Sequence, residues 1–261
     1  VFLSQFFTTV GMDEQPVEYF FGPLHLLYLL IFITSFVLLF ILMKKLQKKH
    51  QKLVINIALV LILVLKYATE ILFIYEYNNF PYSSYPHPFW DVNTFFSFQL
   101  CGVMNIVLPI TIWFNLKSLK PFVYLTSILG GLAVVFYPVT VLYGDPFIIT
   151  LPMLRSSVVH FFLVFIPLWM IYQKDIKLEA KHALDIAVGL VSIAIWAMIG
   201  NLFIDKSANN MYLMSNPFLG GPIPVMNAIG NGYHVILLTV LVSIGYFLTY
   251  KTAKQFEKKS E

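Results

Sequence analysis

"IFITSFVLLFILMKKLQKKHQKLVINIALVLILVL" (residues 31–65) decides the fold. Two long apolar runs meet at a short basic hinge, "KKLQKKHQK" at 44–52, which holds five lysines. Followed to their limits, the runs cover about 24–43 and 53–75. About 20 apolar residues let a helix cross a hydrocarbon core of about 30 Å. Lysine collects on the cytoplasmic side of such spans, so the pair reads as a helical hairpin whose turn faces the cytoplasm.

The pattern continues along the chain. Further apolar runs fall at 94–113, 121–143, 157–172, 184–204 and 225–250, making seven spans. The loop at 76–93 has no lysine or arginine. Lys117 and Lys120 follow the third span, Lys174, Lys177 and Lys181 the fifth, and Lys251, Lys254, Lys258 and Lys259 the seventh. Only Arg155 and Lys206 fall on the opposite side, with Lys66 inside a span. The sequence therefore predicts an all-α, polytopic seven-transmembrane-helix bundle with its N-terminus outside and its C-terminus cytoplasmic. Residues 1–23 are expected as an outer interfacial segment without signal-peptide features, 24–250 as the transmembrane domain, and 251–261 as a basic cytoplasmic tail.

Composition agrees with that reading. Hydrophobic residues make up 59% of the chain and charged residues 11%, with a mean hydropathy of +0.78. Soluble domains run to roughly 45–50% and 25%. The net charge of +4 is absorbed by topology and by attraction to anionic headgroups, which leaves no call for nucleic acid. Membrane phospholipid is the expected partner and the cell membrane the expected location; the oligomeric state stays open. A single cysteine, Cys101, excludes an internal disulfide and a cysteine-rich metal site. The histidines lack local zinc-ligand spacing, so neither a metal nor a cofactor is expected. No lysine lies in the last span, which removes a retinal Schiff base.

Alternating topology assigns depth, because each helical residue advances about 1.5 Å. Cys101 stands seven residues into the third expected span, roughly 10 Å below the outer boundary. His25, Lys66, Glu70, His160, Asn201 and His234 all fall in the outer half of their spans. Polar groups at membrane depth face the bundle interior and mark function by default. Thr94, Ser97, Cys101 and Asn105 share one helical face by spacing, as do Asn227, Asn231 and His234, while Gln99 lies off the cysteine face. Together they suggest a pocket open to the outer leaflet. "GG" at 130 and 131 and Gly200 permit close helix approach, and Pro109, Pro138 and Pro167 are expected to kink their spans.

A thiol attacks as the thiolate and needs a base or cation beside it. His160 and His234 are both placed for that task. The other histidine, with the amides of Asn105, Asn227 or Asn231, can bind substrate or hold an oxyanion. Arg155, at the outer mouth of the fifth span, suits a lipid phosphate. The structural readings are equally concrete: a packed cysteine, asparagines as interhelical glue, and Lys66–Glu70 as a clamp. The loops 78–90 and 215–227, rich in aromatic, proline and glycine residues, suit an interfacial belt and a pocket rim.

"FSFQLCGVMNIVLPITIW", "LRSSVVHFFLVFIPLW" and "MNAIGNGYH" resemble the YwaF-like integral membrane family of bacteria. Animal relatives of that family include a transmembrane phospholipid acyltransferase that uses a cysteine. The resemblance implies that Gln99, Leu100 and Cys101 form its cysteine element, and that Cys101 accepts an acyl group from a lipid with His160 as partner. The leading expectation is thus an acyltransferase or lipid hydrolase of the outer leaflet. The alternative is a non-enzymatic lipid-binding or solute-transport protein whose pocket is lined by His25, Lys66, Glu70 and His234.

Overall fold

A computed structural model of the protein describes residue 6 and residues 19–79, 96–138, 141–142, 147–206, 208–219 and 228–258; side chains are described in these except at 69–70 and 72–79. Among the described residues are seven long helices and no strand: α1 (Pro23–Lys45), α2 (Lys48–Asn79), α3 (Leu100–Trp113), α4 (Lys120–Phe136), α5 (Leu151–Tyr172), α6 (His182–Ile199) and α7 (Tyr233–Lys258). A π turn, Gly200–Ile204, extends α6, and a short 3-10 turn follows at Asn210–Tyr212. Five helices are long and apolar enough to cross a membrane. The other two, α3 with 14 residues and α4 with 17, are apolar but shorter, reaching about 21 and 26 Å.

The basic hinge behaves as its residues require. Lys44 and Lys45 occupy the last turn of α1, where cations complement the helix dipole. Gln51 closes the turn by donating from Nε2 to the carbonyls of Met43 and Leu46, 2.9 Å each. Two residues then suffice to reverse the chain into α2.

Helices α4 and α5 form the centre. α4 packs on α3, α5, α6 and α7, and α5 on α1, α2, α3, α4 and α7. Every residue of α4 from Lys120 to Ile128 is buried, as expected of a helix enclosed on all sides. In the most apolar window of α5, 61% of residues are buried, against 11% for α1. α1 is therefore the outer layer, and aromatic knobs dock it. Phe32, Phe36 and Phe40 meet Phe161, Phe165 and Trp169 edge-on at 5.5, 5.3 and 5.3 Å. Both series advance by four residues in the same direction, so α1 and α5 run parallel. Such aromatic pairs contribute about 0.5–1.5 kcal/mol each beyond burial.

One end of the core is tied by charge. Lys120 donates to Asn115 Oδ1 at 2.6 Å and pairs with both oxygens of Asp175 at 2.8 and 2.7 Å. Tyr124 donates to Asp175 Oδ2 at 2.6 Å. This joins the α3–α4 turn, α4 and the α5–α6 turn.

Several boundaries differ from the sequence expectation. The third helix starts at Leu100 rather than 94, because Ser97 takes a left-handed φ of 55°. Cys101 is therefore the second residue of its helix, not seven residues into it, and Ser97 leaves the face shared by Cys101 and Asn105. The fourth helix stops at Phe136, since the residue before a proline disfavours helix; Pro138 ends this helix rather than kinking it. Pro109 and Pro167 do lie inside α3 and α5. The fifth starts earlier than expected, at Leu151, with Thr150 Oγ1 accepting from Met153 N at 3.4 Å.

Candidate functional site

The approach to α3 is built to present its first turn. Phe98 stacks on Trp196 at 4.6 Å and lies against Gly200, where an added Cβ would stand 2.5 Å from the ring. Trp196 Nε1 donates to the Ser97 carbonyl at 3.3 Å. Gln99 is the N-cap but does not cap its own helix. Its amide turns outward, accepting from Met211 N at 2.9 Å and donating to the Asn209 carbonyl at 3.4 Å. The first intrahelical bond runs from Val103 N to the Gln99 carbonyl at 3.0 Å. The amides of residues 100–102 thus belong to the set that a helix leaves without internal acceptors. Cys101 stands in that first turn and is half-buried.

Two adjacent glycines of α4 explain what surrounds the thiol. A Cβ on Gly130 would stand 3.1 Å from Cys101 Sγ. A Cβ on Gly131 would meet Val164 Cγ2 at 2.6 Å and the His160 carbonyl at 2.8 Å. Cys101 Sγ on α3 and the backbone carbonyl of His160 on α5 therefore lie against consecutive residues of one helix. The expectation that the "GG" pair admits close approach is met in detail.

His25, His160 and His234 are distinguished by which ring nitrogen is used. His160 Nδ1 lies 2.7 Å from the Ser156 carbonyl, with Ser156 Oγ at 3.3 Å. A carbonyl can only accept, so Nδ1 carries the proton and Nε2 keeps its lone pair. Among the described residues Nε2 has no hydrogen-bond partner. His25 is opposite: Nδ1 accepts from Phe21 N at 3.1 Å, and Nε2 donates to the Val135 carbonyl at 3.0 Å. His234 follows the same rule, with Nδ1 accepting from Gly232 N at 2.9 Å and Nε2 donating to the Tyr212 carbonyl at 3.0 Å. Both nitrogens of His25 and of His234 are committed to backbone. Only His160, of these three, retains a basic nitrogen.

Several of the remaining polar residues fold a loop. Asn201 and Asn210 bond reciprocally, Nδ2 to carbonyl at 3.2 Å and Oδ1 from amide at 2.8 Å. Asn209 Oδ1 accepts from Met214 N and Ser215 N at 3.0 and 3.1 Å. Asn231 Oδ1 accepts from Asn216 N at 2.9 Å. Residues 208–216 are thereby strapped over the N-terminal end of α3. At the far side Phe218 meets Tyr137, the C-cap of α4, at 5.5 Å.

The other expected site residues lie around this group. Arg155 is half-buried and precedes Ser156; its charge bears on His160. Asn105 is one turn beyond Cys101, 5% exposed, and its Oδ1 has no partner among the described residues. Lys66 is 1% exposed, with Nζ 4.4 Å above the Tyr67 ring. The Glu70 side chain, Thr94, Asn227 and the aromatic loop beyond residue 79 lie outside the described residues. No group of three histidine, cysteine or acidic residues is placed to hold a metal among the described residues. An apolar cleft of about 480 Å³ opens between α1, α4, α5 and α7. Val164, which touches Gly131, borders it.

Sequence reasoning missed three participants: Ser156, Tyr137 and Tyr212. Ser156 was readable as the residue four before His160 on one helix. Tyr137 and Tyr212 carried no signal, because their neighbours are far away in sequence.

An all-helical chain with helices able to cross a bilayer defines an integral membrane protein, and Cys101 and the His160 backbone, set against neighbouring glycines of α4, mark a candidate site between its helices. The chain belongs to the TMEM164 family, a transmembrane protein family whose model matches residues 20–250. No curated protein and no solved structure matches it.

Proposed function

We propose that this protein is an acyltransferase or lipid hydrolase that acts on outer-leaflet phospholipid through a thioester on Cys101. What supports this reading is that Cys101 Sγ stands against Gly130 and the backbone of His160 against the adjacent Gly131, with Nε2 of His160 carrying no hydrogen bond among the described residues. Nε2 accepts the Sγ proton, and the thiolate attacks the ester carbonyl of the lipid. The carbonyl electrons move to oxygen, which faces the first-turn amides of α3, the arrangement that stabilises such an oxyanion. Collapse breaks the ester C–O bond. The protonated His160 returns its proton to the departing lysolipid oxygen, leaving the acyl group on sulfur. An alcohol, an amine or water then attacks the thioester with Nε2 again as base. Arg155 holds the phosphate.

This reading includes the seven-span topology, with the N-terminus outside and the chain in the cell membrane. It also includes kinship with the bacterial YwaF-like proteins and their animal acyltransferase relative. The lysine distribution and the cysteine and histidine segments support both. The test is incubation of the purified full chain with phosphatidylcholine vesicles, followed by intact-protein mass spectrometry. An acyl mass on Cys101, absent in Cys101→Ala, is expected. Transfer activity that survives in Cys101→Ala without any adduct overturns the proposal.

A second reading is favoured by Lys66, a lysine buried to 1% within an apolar helix. A non-enzymatic lipid-binding or transport site needs that charge and Glu70. It predicts that Lys66→Met abolishes lipid binding while Cys101→Ser changes nothing.

A further inference from the structure

We propose that the apolar cleft between α1, α4, α5 and α7 binds one anionic phospholipid, with a single acyl chain in the cleft and the headgroup against lysines at its closed end. The site is separate from the thiol and does not depend on the reading of Cys101. On α4 the cleft takes Ile128, Leu129, Leu132, Ala133 and Phe136. At about 100° per residue, their mean direction lies about 180° from that of Gly130 and Gly131, which meet Cys101 Sγ and the His160 carbonyl. The tight contact of Val164 with Gly131 closes the way round on the α5 side. α4 therefore stands between the cleft and Sγ.

The shape of the cleft follows from how α1 is held. That helix packs chiefly on α5, leaving a gap before α7 that α4 and α5 floor. Phe40 and Phe256 meet edge-on at 5.9 Å and close one end, with Phe40 backed by Trp169 and Tyr172 at 5.3 and 5.1 Å. Away from these rings the lips are apolar and open: Val37 is 48% and Leu248 57% exposed. From Gly245 to Phe256 the α7 wall extends about 16 Å, about half of a hydrocarbon core of about 30 Å and so the depth of one leaflet. A volume of about 480 Å³ over that length leaves a cross-section of about 30 Å². A helix with its side chains needs about 80 Å², so a helix of a second copy does not fit and a single hydrocarbon chain does. Thr249 and Thr252 are the only polar side chains among the described lining residues; the rest offers water no partner and stays dry. Since α1, α5 and α7 are long and apolar enough to cross a membrane, lipid is what meets the open lips. Charge selects the headgroup. Lys44 and Lys45 end α1 about one turn beyond Phe40, and Lys251 lies beside Thr252 on α7; all three are exposed. Lys254 is already paired with Glu257 at 2.7 Å. Lysines at a bilayer surface attract anionic lipid.

The experiment is native mass spectrometry of the detergent-solubilised full chain incubated with phosphatidylglycerol or phosphatidylcholine. One retained phosphatidylglycerol is expected, held more strongly than phosphatidylcholine. Ala133→Trp and Leu248→Trp fill the cleft from opposite walls at exposed positions, and both should lose the lipid. Val191→Trp, in a separate exposed groove along α6, should keep it, as should Cys101→Ala. Lys44→Gln, Lys45→Gln and Lys251→Gln combined should lower phosphatidylglycerol retention to that of phosphatidylcholine. Absence of retained lipid on the native chain, or retention in both cleft variants, overturns the proposal. Equal loss in Val191→Trp also overturns it, because it marks a nonspecific lipid coat. Loss in Cys101→Ala does the same, since the lipid is then held at the thiol. A lipid-free dimer that Ala133→Trp splits overturns it in favour of a second copy, and an unchanged preference in the lysine variant overturns the headgroup assignment.

Discussion

His160 Nδ1 lies 2.7 Å from the carbonyl oxygen of Ser156, one turn earlier on α5. A helix-internal carbonyl orients the ring and selects the tautomer, a task that a carboxylate performs in many triads. Nε2 is then the working nitrogen. His160→Ala should cut thioester formation by about 10²–10⁴-fold, the range of a lost general base. Ser156→Ala removes the 3.3 Å hydroxyl contact to His160 and keeps the carbonyl that orients the ring, so acylation should stay near the native rate. Rates of adduct formation by mass spectrometry check both.

The glycine pair separates folding from chemistry. Gly131→Ala places a Cβ 2.6 Å from Val164 and 2.8 Å from a backbone carbonyl. α4 and α5 must separate, and overpacking of this kind costs about 1–3 kcal/mol. Its thermal midpoint in detergent should fall. Gly130→Ala meets a movable sulfur at 3.1 Å, so stability should change little. The displaced thiol should lose activity instead, since a shift of about 1 Å can cost on the order of 10²-fold.

Lysine alternation made the helical class legible, whereas Pro138, read as a kink, ends α4 instead. The start of α3 was not legible. Ser97 at φ 55° interrupts an apolar run that reads as continuous, because hydropathy records burial and not backbone handedness. The histidines show the same limit. His25, His160 and His234 look alike by depth and type, and only their partners separate them. Those partners are backbone groups at Val135, Ser156 and Tyr212, and a backbone acceptor leaves no trace in residue identity. Asn201 and Asn231 were read as candidate pocket or glue residues; their bonds run to the loop backbone, which only the fold brings near.

The Lys120–Asp175 pair yields a stability prediction independent of the site. Lys120 is 2% exposed, so Asp175→Asn leaves a buried ammonium with Asn115 as its neighbour. Breaking a fully buried pair costs about 3–5 kcal/mol. The Asp175 side chain is 23% exposed, and partial solvation should reduce the cost to about 2 kcal/mol. Replacing both members, Lys120→Met with Asp175→Leu, should recover most of the loss. Chemical denaturation in mixed micelles measures each variant, and iodoacetamide labelling of Cys101 should remain at its native rate throughout.

His234 tests whether its ring holds the loop or serves the thiol. Both of its nitrogens bond backbone, one to Gly232 and one to Tyr212. His234→Ala therefore leaves the Tyr212 carbonyl without its donor, at about 1–3 kcal/mol for an unsatisfied buried group. Local opening of residues 208–216 should rise about 10-fold or more, since each 1.4 kcal/mol is tenfold, and hydrogen exchange at their amides should report it. Gln99→Ala removes the opposite tether at Met211 and should raise exchange over the same amides. If His234 were instead the base for Cys101, its alanine variant would abolish acylation with loop protection unchanged, and Gln99→Ala would leave the reaction untouched. Parallel losses of loop protection in both variants are the expected result, because Gln99 and His234 tether the backbone of one loop.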